Sequence, residues 1–99
     1  MYFGNRIREL RESNGLVLRK LGMALDIDTA TMSKIEKGYR QAKAVHIPIL
    51  AEILSSDENE LYILWMADKV VQILEADREN SIKIITKAKE IIVEKRNAS

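Results

Sequence analysis

The chain has 99 residues, 46% apolar and 31% charged, with no cysteine, one proline and a formal net charge of +1. That length supplies one hydrophobic core and leaves no room for a second, and the composition is that of a globular, soluble protein. Without thiols, disulfides and thiolate metal centres are excluded, and a reducing compartment suits the chain.

The small net charge conceals a polarity along the chain. Residues 1–43 carry nine basic against five acidic side chains, a net +4. Residues 44–79 carry two against eight, a net −6, and residues 80–99 five against two, a net +3. A basic first half beside an acidic middle suits a molecule with one face turned to a polyanion. The longest apolar run, residues 61–67, is far shorter than a membrane span. Residues 1–6 lack the apolar stretch of a signal peptide, so the expected location is the cytoplasm.

Apolar periodicity reads as helical throughout. A first helix is expected over residues 5–13, with Ile7 and Leu10 on one face, stopped by Asn14-Gly15. A second is expected over residues 18–25, burying Leu21, Ala24 and Leu25. Asp26-Ile27-Asp28 forms a tight break, with Asp28 as N-cap of a third helix over residues 29–37 that buries Met32 and Ile35 and ends at Gly38. After a polar connection, a fourth helix is expected over residues 44–54, where Pro48 is tolerated only if the helix begins close to it. Ser56 or Asp57 caps a fifth helix over residues 58–75, and Asn80 or Ser81 a sixth over residues 82–95.

Two short helices joined by a tight turn, the second ending at glycine, have helix-turn-helix geometry. The residues Leu10-Arg11, Gly15-Leu16, Leu21, Leu25-Asp26-Ile27 and Met32-Ser33-Lys34-Ile35-Glu36-Lys37-Gly38-Tyr39-Arg40, continued by Ile47, Leu50-Ala51 and Leu54, resemble the lambda-repressor/Cro-like, or xenobiotic-response-element, family of regulators over residues 5–61. The resemblance implies an all-α bundle of five helices with an additional C-terminal helix. It divides the chain into a DNA-binding domain over residues 1–61 and a helical extension over residues 62–99. It also implies a sequence-specific regulator, a repressor, that binds double-stranded DNA as a homodimer in the major groove.

By position in that family, Thr29, Ala30, Ser33 and Lys34 face base edges. Lys34 suits guanine O6/N7, and Thr29 and Ala30 suit a thymine methyl. Arg19, Lys37, Tyr39, Arg40 and Lys43 are the implied phosphate contacts, and Arg11 and Glu36 the pair that ties helix one to the end of helix three. Two departures stand out. Where the family carries a polar cap and then glutamine this chain has Val17 and Leu18, and its common proline is Ala42. A restriction-modification controller or an antitoxin would share the same contacts, and a protein-interaction module using helices five and six is the alternative of a different class.

Eleven of the fourteen residues from Leu61 to Leu74 are apolar, and the sixth helix adds Ile82, Ile84, Ile85, Ile91 and Ile92. Surfaces this broad need cover on more than one side. The expected cover is a second copy, through Leu64, Trp65, Val71, Ile85 and Ile92; a helical hairpin closing on its own core is the alternative. His46 has no second nitrogen or sulfur ligand nearby and reads as a solvated helix-face residue. No catalytic constellation, phosphate-binding glycine loop, cofactor motif or metal-ligand cluster is visible, so no enzymatic activity is expected.

Overall fold

Short polar residues and glycine set where the helices begin and end. In the computed structural model, which describes residues 1–98, the helices are α1 (Tyr2–Ser13), α2 (Leu18–Leu25), α3 (Thr29–Lys37), α4 (His46–Ile53), α5 (Glu58–Leu74) and α6 (Ser81–Ala98). A 3-10 turn, Glu75–Asp77, separates α5 from α6, and no strand occurs among the described residues. The chain is all-α, as its periodicity predicts. Asn14 closes α1, and its side-chain amide donates to the carbonyl oxygens of Leu10 (2.7 Å) and Leu54 (3.1 Å). The residue that stops α1 therefore also ties it to the end of α4. Asp57, not Ser56, caps α5: its Oδ1 accepts from the amides of Asn59 and Glu60 at 2.8 and 3.2 Å. Because α4 starts at His46, Pro48 falls in its first turn, where a missing N–H leaves no helical bond unmade.

Residues Met1–Asp68 form one compact unit, and the residues from Lys69 a second. The core of the first unit is built on Phe3, Ile7, Leu21, Leu25, Met32, Ile35, Ile47, Leu50, Leu54, Leu61 and Trp65. This unit runs past residue 61 because Leu61, Trp65 and Asp68, spaced i, i+4, i+7, put one face of α5 into it, and all three are buried. Trp65 is therefore not the interface residue expected from the sequence. It is 7% exposed in the core of its own chain, and Leu64 is half-buried beside that core. The outward face of α5 carries Tyr62, Ile63 and Met66 instead.

α1 begins at Tyr2, a turn earlier than its own sequence suggests. Two contacts with distant residues hold that turn. The Asp68 carboxylate accepts the Phe3 amide at 2.8 Å, placing a negative group at the positive end of the helix. Gly4 then lets α1 lie directly on the end of α3: a Cβ at that position would fall 2.5 Å from the carbonyl oxygens of both Ile35 and Glu36.

The second unit comprises the end of α5, the 3-10 turn and α6, and no described residue from 69 to 98 is buried. Val71, Ile85 and Ile92 are among its exposed apolar side chains. No helix among the described residues is long and apolar enough to cross a membrane.

Candidate nucleic-acid interface

Three residues, Asp26, Ile27 and Asp28, connect α2 to α3. Asp26 takes the left-handed conformation at φ 56°, which aspartate tolerates better than most residues. The Ile27 amide turns back to the Gly22 carbonyl at 2.9 Å. Asp28 then caps α3 as expected, its Oδ1 accepting the Thr31 amide at 2.7 Å. The Thr31 hydroxyl and amide, aided by the charges of Lys34 and Arg40, hold the Asp28 carboxyl below the usual carboxylate range. At the other end, the amides of Gly38 and Tyr39 bond the carbonyls of Ile35 (3.2 Å) and Lys34 (2.9 Å), with Gly38 at φ 81°. This glycine-terminated end closes the helix where the chain must reverse. Both ends of α3 are thus determined by their own residues.

The inner face of α3 buries Met32, Ile35 and Glu36. Glu36 meets Arg11 of α1 as a two-pronged pair, Nε to Oε2 at 2.7 Å and NH2 to Oε1 at 3.1 Å, while Arg11 NH1 donates to the Leu16 carbonyl at 3.0 Å. Hydrogen bonding to Glu36 holds the guanidinium above its ordinary value, against the opposing effect of burial. The pair predicted from the sequence therefore spans α1, the α1–α2 loop and α3.

The outer face is different in kind. Thr29, Ala30, Lys34 and Lys37 are exposed and Ser33 is half-buried, so the structure brings the predicted base-facing residues together on one helix. Arg19, at the start of α2, and Tyr39, Arg40 and Lys43, on the α3–α4 connection, are exposed as well. In α1, Arg6 and Arg8 pair with Glu9 and Glu12 at 3.3 and 2.9 Å. By contrast, Arg19, Lys34, Lys37, Arg40 and Lys43 make no ion pair within the chain among the described residues. An exposed cation of this kind can meet an anion without first breaking an ion pair. Val17 is exposed at the start of α2 and forms no side-chain cap, and Leu18 packs partly on the core. Neither supplies a polar contact.

The α3–α4 connection is anchored by two residues whose roles the sequence did not reveal. The Trp65 indole N–H donates to the Ala42 carbonyl at 2.8 Å, and His46 Nδ1 accepts the Lys43 amide at 3.2 Å. His46 is not solvated, as expected from its helix-face position, but 8% exposed. A signal was present for each of these residues. His46 stands four residues before Leu50 on the core stripe of α4, and a buried indole requires an acceptor. Asp68, the carboxylate that holds α1, likewise follows Leu61 and Trp65 on the inner stripe of α5.

Burial, with a smaller effect from the Lys43 charge, lowers the His46 pKa below the ordinary histidine value of about 6.5. The unfolded chain then binds a proton that the folded chain refuses. The stabilisation from neutral His46 is complete above the unfolded value and is lost as pH falls through and below it. His46 is the only histidine. Urea unfolding should show a lower midpoint at about pH 5.5 than at about pH 7.5. His46→Asn, which keeps an acceptor on Cγ but does not titrate, should remove most of that difference; an unchanged difference would assign it to other groups.

Among the described residues, no group of three or more His, Cys, Asp or Glu side chains is placed to hold a metal ion. A family model described as a helix-turn-helix domain matches residues 3–61, spanning α1 to the start of α5. No curated protein and no solved structure gives a significant match. With more than half of the chain matched, and with α3 fixed at both ends beside a tight turn, the protein belongs to the helix-turn-helix domain family of DNA-binding proteins.

Proposed function

We propose that the protein is a sequence-specific transcriptional regulator of the lambda-repressor/Cro-like, xenobiotic-response-element type, a cytoplasmic repressor that binds a two-fold operator as a homodimer. The observation that carries this reading is the outer face of α3, where small side chains surround an exposed lysine that makes no ion pair among the described residues. A helix of this kind enters a major groove about 12 Å wide with its N-terminal half against base edges. Lys34 donates to guanine, Thr29 and Ala30 pack on thymine methyl groups, and Ser33 bonds a base or a phosphate. Arg19, Lys37, Tyr39, Arg40 and Lys43 contact phosphates on either side, setting register and affinity rather than sequence choice.

The second unit supports the dimer. A segment of about thirty residues is too small to hold a core alone, and here Val71, Ile85 and Ile92 stand exposed with no buried neighbour from residue 69 to residue 98. Pairing with a second copy covers such a surface and presents two α3 helices to successive turns of one duplex face.

Selection of sites from random oligonucleotides, followed by fluorescence anisotropy at about 50 and 200 mM salt, tests the reading. Expected are a two-fold site, saturation at two chains per duplex, and binding that weakens steeply with salt. Lys34→Ala should reduce discrimination at one base pair by about 1–3 kcal/mol, whereas Lys43→Ala should weaken all sequences alike. Failure to enrich any sequence would overturn the assignment of a specific regulator.

A further inference from the structure

We propose that Trp65 and His46 are positioning residues for the DNA-backbone contact, and that they act by clamping the single peptide unit between Ala42 and Lys43. The carbonyl that accepts from Trp65 Nε1 and the amide that donates to His46 Nδ1 belong to the same planar group, Ala42 C=O and Lys43 N–H. A planar amide held at opposite edges cannot rotate about its own Cα–Cα axis, so the direction of the Lys43 Cα–Cβ bond, from which the exposed side chain departs, is set. The grip on Lys43 is reciprocal, because its carbonyl accepts from the His46 amide at 3.0 Å.

The surroundings show that this clamp belongs to the connection rather than to general packing. Ala42 is 3% exposed, yet Gln41, Lys43 and Ala44 on either side of it are exposed. One small residue is thus drawn into the core while its neighbours stay in solvent. A phenylalanine would keep much of the packing of Trp65 without an N–H, and a leucine that of His46 without an acceptor. The polar atoms are present, and both bond this one amide. The ordering of the connection is completed on folding, so less freedom is lost when it meets a phosphate. The inference rests on the reading of the connection as a phosphate-contacting loop.

The test uses the full chain and a fluorescein-labelled 24-base-pair duplex of mixed sequence, with anisotropy titrations across a salt series. Lys43→Ala should weaken binding and lower the log–log salt slope by about 1. Trp65→Phe should weaken binding by about 3- to 10-fold, and Trp65→Phe combined with Lys43→Ala should bind no worse than Lys43→Ala alone, because both remove the same contact. His46→Leu should behave as Trp65→Phe does, and His46→Asn, whose Oδ1 is carried on Cγ as Nδ1 is, should recover most of what His46→Leu loses. Circular dichroism verifies that each variant is folded; if Trp65→Phe is not, the two His46 variants make the same comparison with Lys43→Ala. Fully additive losses, or no loss in folded Trp65→Phe or His46→Leu, would overturn the clamp. Wild-type protein that fails to bind the duplex would instead overturn the reading of the loop as a DNA contact, and that outcome is distinct.

Discussion

Replacing Glu36 with alanine is expected to destabilise the protein by about 3 kcal/mol or more, and to weaken DNA binding even where the variant remains folded. The Glu36 side chain is 6% exposed and that of Arg11 15%, so the variant leaves a guanidinium in a poorly hydrated position with only the Leu16 carbonyl to bond. Removing one partner of a buried pair costs far more than the intact pair contributes, because the charge left behind is uncompensated. For a domain of this size the loss corresponds to a fall in Tm of more than about 10 °C, readable by calorimetry or circular dichroism. A double variant, Arg11→Met with Glu36→Leu, separates orientation from stability. It should regain much of the lost stability, since an apolar pair carries no desolvation penalty. Its DNA affinity should remain low if the two-pronged geometry sets the angle between α1 and α3. A Glu36→Ala protein that melts and binds like the wild type would show that the pair does neither.

Gly4→Ala is expected to cost about 2–3 kcal/mol, although alanine is the better helix former by about 1 kcal/mol. The new methyl would lie 2.5 Å from the carbonyl oxygens of Ile35 and Glu36. Those are backbone atoms of the last turn of α3, held by the glycine-terminated end at Gly38 and by the Arg11–Glu36 pair, and they do not swing aside as a flexible side chain would. Either α1 is pushed off α3, stretching the Phe3–Asp68 hydrogen bond, or the end of α3 moves with the exposed residues of its outer face. Urea unfolding measures the first consequence and anisotropy on a selected operator the second. A variant more stable than wild type would mean that α1 and α3 separate easily.

Much of this architecture is written in short-range chemistry. Asp28 caps α3 because its carboxylate reaches the amide three residues on, and Gly38 ends it because only glycine takes a positive φ without a Cβ penalty. Pro48 marks the first turn of α4 for an equally local reason. The Arg11–Glu36 pair and the outward Thr29, Ala30, Ser33 and Lys34 are legible through the family resemblance, because the turn between α2 and α3 leaves few ways for α3 to be oriented. The extra first turn of α1 was not legible. Its carboxylate comes from Asp68, 65 residues along the chain, and nothing near Tyr2 announces it.

The sequence by itself determined that the chain is helical, where α2 and α3 start and stop, and that a lysine-bearing helix follows a tight turn. Each of these depends on residues within about one helical turn of one another. Only the tertiary structure decided that Trp65 points into its own chain, that His46 is buried against the Lys43 amide, and that Asp68 holds the start of α1. A side chain's exposure, and the partner of a buried polar atom, are properties of whichever distant segments pack around it, and backbone periodicity carries no information about them.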